Sequence, residues 1–155
     1  MISPELLRRY TFFAPFNDSE QKEIAMMAEE IQVVEGTVLF ESGNLADSLY
    51  LLLEGGVDLY DISVDDYDPS LRKEFFVGEI DPGEILLISA VVEPYLATAT
   101  ARVSAPSRLV QFNASKLREA AKNNPEFGYK LMHQIARITL DRLAETRVML
   151  AGMES

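Results

Sequence analysis

Ile80-Asp-Pro-Gly-Glu-Ile-Leu-Leu-Ile-Ser-Ala-Val-Val-Glu-Pro-Tyr-Leu-Ala-Thr98 lies between two strand-like runs of the sequence. It opens with Pro82-Gly83, continues as a short apolar run of helical length and leaves through Pro94. In a β-roll, a stretch of this shape supplies a phosphate site, because N–H groups at the start of a short helix attract anions. Yet it contains no basic residue, and between Glu84 and Glu93 it is uncharged. A site built to hold an anion should offer Arg or Lys. The pattern around the stretch and the chemistry inside it point in different directions.

Working outward, the chain of 155 residues is expected to form one domain over 1-155, with N-terminal helices (1-28), a β-roll (29-113) and C-terminal helices (114-152). A domain of this size buries about 68–70% of its unfolded surface, enough for a core without staples. There is no Cys, which removes disulfides, thiolate metal sites and Cys nucleophiles together. No signal peptide and no run of 18 apolar residues is present. A cytoplasmic location is expected. The net charge of −11, from 14 basic and 25 acidic residues, makes nucleic acid and anionic membrane poor partners.

On the N-terminal side, Ser3 can cap a helix that has Pro4 at its first position and Leu6, Leu7 and Tyr10 on its apolar side. Phe12, Phe13 and Phe16 are read as a hydrophobic plug, with an exposed partner patch as the other reading. Asp18, with Gln21 three residues on, predicts a capping box for a second helix. Strands are then expected at Ile31 to Val34, Thr37 to Phe40, Ser48 to Leu53, Val57 to Ile62 and Glu74 to Ile80, with Gly55-Gly56 as a turn. Asp65 to Ser70 reads as an acidic hairpin loop. Past the opening stretch, Ala97 to Val103 and Arg108 to Phe112 read as two strands separated by Pro106. Many short strands with regular turn signals predict a mainly β fold with flanking helices.

Asn113 caps a helix from Ser115 to Lys122, and Asn124 caps a long one with Pro125 first, running to about Leu150 with Gly152 as its stop. The long helix carries two apolar stripes. Phe127, Leu131, Ile135 and Ile138 form one; Met132, Ala136, Leu140, Leu143 and Leu150 form the other. A surface helix needs only one apolar face. Little chain remains to cover the second, so a parallel homodimer through it is expected.

Several pieces occur here in a recognisable order: Phe16 with its helix, Glu35-Gly36-Thr37-Val38-Leu39-Phe40, Ser42-Gly43-Asn44, Ala46-Asp47-Ser48-Leu49-Tyr50 and Leu53-Glu54-Gly55-Gly56-Val57. Together they resemble the cyclic nucleotide-binding domain family, the effector module of catabolite activator proteins, kinase regulatory subunits and gated channels. The resemblance spans roughly Leu6 to Leu150. It implies a jelly-roll-like β-roll with a long C-terminal helix that often dimerises.

The family's phosphate-binding cassette reads Pro-Gly, two or three residues, Phe-Gly-Glu, an apolar run and Pro-Arg-x-Ala-Thr. Its Glu holds the ribose hydroxyl and its Arg the cyclic phosphate. Pro82-Gly83 fits the opening here, and Pro94-Tyr95-Leu96-Ala97-Thr98 fits the close. On that frame Leu86-Leu87-Ile88 replaces Phe-Gly-Glu and Tyr95 replaces the Arg. A rival frame places Gly83-Glu84 on Gly-Glu; neither frame supplies the Arg. A charge-assisted bond contributes about 1.5–3 kcal/mol. At about 1.4 kcal/mol per factor of ten, losing both partners costs about 10³-fold or more in affinity.

The pocket candidates are therefore Gly83, Glu84, Leu87, Ile88, Ser89, Tyr95, Leu96, Ala97 and Thr98, in a pocket expected not to take cAMP or cGMP tightly. No cofactor or metal is expected, and no catalytic triad is expected around the single His, with no Cys to serve as a nucleophile. His133 reads as an ordinary polar helix residue. The chain reaches Ser155 without the helix-turn-helix of the family's transcription factors. The expectation is a dimeric regulatory module, not an enzyme, that works through a protein partner in trans. The acidic loop suggests a basic or mixed surface on that partner, with Phe12, Phe13 and Tyr67 as apolar contacts. The alternative is a true small-molecule sensor taking cAMP, cGMP or a less charged ligand.

Overall fold

The computed structural model describes residues 1–154. Ser3 accepts a hydrogen bond from the Glu5 N–H and starts α1 (Pro4–Leu7). The second helix, α2 (Asp18–Met26), is capped one residue earlier than the sequence suggests. Asn17 accepts from the Glu20 N–H and the Glu20 carboxylate accepts from the Asn17 N–H, both at 2.9 Å. Gln21 is not the box partner. It is buried and donates to the Phe13 carbonyl at 3.1 Å, which ties α2 to the aromatic plug.

Six antiparallel strands come next: β1 (Ala28–Val33), β2 (Val38–Phe40), β3 (Ser48–Val64), β4 (Arg72–Ile80), β5 (Ile85–Leu86) and β6 (Thr100–Asn113). The main order is β1-β6-β3-β4, with β2 added to β6 and β5 added to β3. The expected pairs Ser48–Leu53/Val57–Ile62 and Ala97–Val103/Arg108–Phe112 are each one continuous strand. Gly55-Gly56 and Pro106 mark bulges in that long pairing rather than turns, and the register shifts there. Gly55 has φ 99° and lies so close to β6 that an added Cβ would be 2.7 Å from the Pro106 carbonyl oxygen and 2.8 Å from Ser107 Cα. Across the bulge, the Gly56 N–H donates to Ser107 Oγ.

Successive residues of a strand face opposite sides, and β3 is buried on both. Leu49, Leu51 and Leu53 face a core completed by Leu7, Phe12, Phe13, Phe16, Ile24, Leu117, Phe127, Leu131 and Ile135. Tyr50, Leu52 and Val57 face the inside of the roll, with Ile80, Leu86, Leu87, Val103 and Leu109. The plug reading of Phe12, Phe13 and Phe16 therefore holds, and Phe12 and Phe13 are not available to a partner. Tyr67, at the hairpin tip, is 98% exposed.

Asn113 caps α3 (Ala114–Asn123), and α4 (Pro125–Glu154) starts at Pro125. Gly152 does not stop α4, which continues through it to Glu154. Phe127, Leu131 and Ile135 pack on the core, while Met132, Ala136, Leu140, Leu143 and Leu150 are exposed. Where α3 and α4 cross, Gly128 meets the backbone of Ala121; a Cβ there would lie 2.7 Å from its carbonyl oxygen. Lys130 of α4 reaches the buried carboxylate of Glu20 at 2.7 Å. Burial alone would raise the pKa of that carboxyl, but the bonds from Lys130 and the Asn17 N–H outweigh it and hold the group below the usual range.

The bulge gives a graded test. Gly55→Ala combines a left-handed φ with a backbone collision and is expected to cost about 3 kcal/mol or more. At Gly36 φ is 89°, but an added Cβ meets nothing within 4 Å. Gly36→Ala is expected to cost only about 1 kcal/mol. Urea denaturation of the two variants measures both, and equal losses would contradict the account of the bulge.

Candidate functional site

Gly83 and Glu84 tie the cassette to the middle of β3. The Gly83 N–H donates to the Leu52 carbonyl at 2.8 Å, and the Leu52 N–H donates to the Glu84 carbonyl at 3.0 Å. β5 continues this pairing, opposite Tyr50 and Leu51. Leu87 then turns the chain with φ 64° and ψ 47°, in the left-handed region, and a 3₁₀ turn spans Ile88–Val91. The Glu93-Pro94 peptide is cis and Tyr95 has φ 60°. The exit is anchored to the loop before β3, where the Ala46 N–H donates to the Tyr95 carbonyl at 2.7 Å and Ala97 exchanges bonds with Gly43 and Asn44.

The candidate residues do not surround one pocket. Leu87, Ile88, Ser89 and Thr98 share a cavity of about 40 Å³ with Phe40, Leu59 and Arg142. Gly83 and Glu84 line a different cavity, of about 200 Å³, against Thr11, Ile138 and Arg142. Tyr95 faces outward, and its ring lies under the guanidinium of Arg118 at 4.1 Å. Leu96 is exposed and bridges to Leu45, while Ala97 is buried in the roll. A third cavity, of about 680 Å³ and mostly apolar, lies between the β3–β4 hairpin and α4; Leu59, Val77, Ile80, Glu84, Arg142 and Met149 are among its walls.

Leu87 sits at the left-handed turn of the cassette. Its side chain is only 6% exposed and fills the inside of the roll. A non-glycine residue in the left-handed region costs about 1–2 kcal/mol, so packing must hold Leu87 where glycine would sit without strain.

Sequence reasoning missed Arg142. It comes from α4, lines all three cavities and donates through Nη2 to the Ile85 carbonyl. Burial pushes its pKa down, and the charges of Glu84 and Glu145 pull it back up. The Glu84 carboxyl is pushed above its usual range, first by burial and then by Glu145 and Asp81, against the opposing charge of Arg142. The signal was in the spacing: Phe127, Leu131, Ile135 and Ile138 continue to position 142 on the same face of α4. The cassette thus meets a cation, delivered by a distant helix and surrounded by carboxylates. His133 lies against Tyr129, with ring centroids 5.9 Å apart. Among the described residues no group of three or more His, Cys, Asp or Glu is placed to hold a metal, and no helix is long and apolar enough to cross a membrane.

Residues 30–124 match the family model for the cyclic nucleotide-binding domain. Among solved structures, a protein of Geobacter metallireducens described as a cyclic nucleotide-binding protein is 40% identical, with a TM-score of 0.80, over 92% of this chain and 99% of that one. A cyclic nucleotide-binding domain from Methylobacillus flagellatus is 17% identical, with a TM-score of 0.75, over 96% of this chain and 80% of that one. The catabolite activator protein of Thermus thermophilus is 18% identical, with a TM-score of 0.66, over 98% of this chain and 63% of that one. The latter two likenesses show the fold. No curated protein matches.

The state of Leu87 can be tested by truncation. Leu87→Ala loses the buried side chain and keeps the left-handed strain, an expected loss of about 2–5 kcal/mol. Leu87→Gly loses the same packing but relieves about 1 kcal/mol of strain. The glycine variant should therefore be the more stable of the two in chemical denaturation. The reverse order would show that Leu87 carries no left-handed strain.

Proposed function

Since this chain belongs to the cyclic nucleotide-binding domain family, we propose that it is a cytoplasmic regulatory module whose cassette is closed to cAMP and cGMP, and which signals by dimerising and by engaging a protein partner. The observation that carries this reading is the cavity of about 40 Å³ behind Leu87, where small-molecule sites run to about 300–1,000 Å³. The absence of an arginine in the cassette supports it, since Tyr95 turns away to α3. The residues at the site suit binding and switching better than catalysis. Calorimetry with cAMP, cGMP and cyclic dinucleotides tests the reading directly. No binding at micromolar concentration is expected, and micromolar affinity for any of them would overturn it.

A second reading has its own support. The cavity of about 680 Å³ between the hairpin and α4 is of ligand size and mostly apolar, with Glu79, Glu84, Arg142, Glu145 and Thr146 as its polar residues. Under this reading the chain senses a less charged molecule beside the cassette rather than in it. A rise in melting temperature with an apolar ligand, abolished by Val77→Asp, would favour it.

The dimer is proposed through α4. Leu140 is 65% exposed, and Met132, Ala136, Leu143 and Leu150 are exposed with it. An unpaired charge in a buried seam costs about 3–5 kcal/mol. Leu140→Glu with Leu143→Glu should therefore abolish the α4 contact and leave the fold intact by circular dichroism. Light scattering that shows the unmodified protein and this variant with the same mass would refute the α4 dimer.

A further inference from the structure

A groove of about 350 Å³ runs where the cassette exit meets α3 and α4, lined among others by Val91, Tyr95, Arg118, Lys122, Leu131 and Met132. Arg118 and Lys122 are one turn apart and so share a face of α3. Apart from the contact of Arg118 with the Tyr95 ring, neither side chain makes an ion pair or a hydrogen bond among the described residues. No acidic side chain lines the groove. In a chain of net charge −11 this is a patch of uncompensated positive charge beside an apolar floor.

The tip of the β3–β4 hairpin has the opposite character. Asp65 accepts from the N–H groups of Tyr67 at 2.8 Å and Asp68 at 3.1 Å, and Asp68 accepts from the Ser70 N–H at 3.0 Å and its hydroxyl at 2.6 Å. These bonds order the loop from within. They leave the Asp66 carboxylate without a bond among the described residues and the Tyr67 ring 98% exposed. A loop already held in shape loses less entropy on docking.

We infer that the acidic loop of one copy docks into the basic groove of a second copy, with Tyr67 on the floor formed by Val91, Leu131 and Met132 and Asp66 facing Arg118 and Lys122. Opposite charges steer the approach and fix its register. The contact joins unlike surfaces, so a twofold arrangement makes it twice. It shares only Met132 with the α4 seam and uses none of Ala136, Leu140, Leu143 and Leu150. The basic surface that the acidic loop calls for is present on the chain itself.

Sedimentation velocity on the full chain carrying Leu140→Glu and Leu143→Glu reads this contact without the α4 seam. At low salt this background self-associates, and at high salt it separates. Adding Asp66→Lys with Tyr67→Ala, or instead Arg118→Glu with Lys122→Glu, weakens the low-salt association by at least about tenfold. Mixing those two charge-reversed proteins restores it. A background that is monomeric at both salts, or whose association survives either pair of changes, overturns the proposal. If only the groove changes abolish association, another acidic segment occupies the groove and the assignment of the loop falls. The α4 dimer is judged separately, by comparing the unmodified chain with this background, so the two readings fail independently.

Discussion

Everything in this molecule hangs on the antiparallel pairing of β3 with β6. β1 and β2 attach only to β6, and β4 and β5 only to β3. The 17 residues of β3 serve the helical core and the inside of the roll through alternate side chains, and register shifts bend the strand midway. The bend comes from bulges facing each other across the pair, Gly55-Gly56 on one strand and Pro106-Ser107 on the other. Bulges raise local twist and re-aim the strand beyond them. Here they send the outer half of β3 away with β4 as a projecting hairpin, while the inner half stays under the helices and carries the cassette.

Most of this architecture was legible because apolar patterning reports burial directly. Leu49 to Leu53 is an unbroken apolar run, as a strand covered on both faces must be, and of the two readings of Phe12, Phe13 and Phe16 the plug is the one the structure bears out. What failed was information held by another segment. Gly-Gly is a turn signal in isolation, and only Pro106 lying opposite makes it a bulge. Asn17 with Glu20 and Asp18 with Gln21 have identical box spacing, and the choice between them rests on Gln21 being buried against Phe13. Gly152 looks like a helix stop, but α4 continues through it to Glu154.

The site was legible by what it lacks and hidden in what it borrows. That no basic residue stands between Ile80 and Thr98 is plain in the sequence, as is the bulky Leu87 where the expected frame has a small residue. The arrival of Arg142 is not, because a charged residue on an apolar stripe reads as an interruption, although a long side chain can lie along apolar surface and place its head elsewhere. The same holds for Tyr95: its side chain could have entered the roll, and Arg118, on a helix 23 residues later, draws it out.

The close crossing at Gly128 has a mechanical consequence. Helices separated by ordinary side chains can slide past one another by an ångström or two, whereas a glycine seated on the backbone of Ala121 leaves no layer to shear. α3 and α4 must then travel as one lever, pivoting near Asn113 where α3 leaves the sheet. One arm of that lever holds Arg118 against Tyr95, and the other carries Arg142 to the Ile85 carbonyl. A tilt of the long helix would pull on the start and the end of the cassette together, through two arginines that belong to neither.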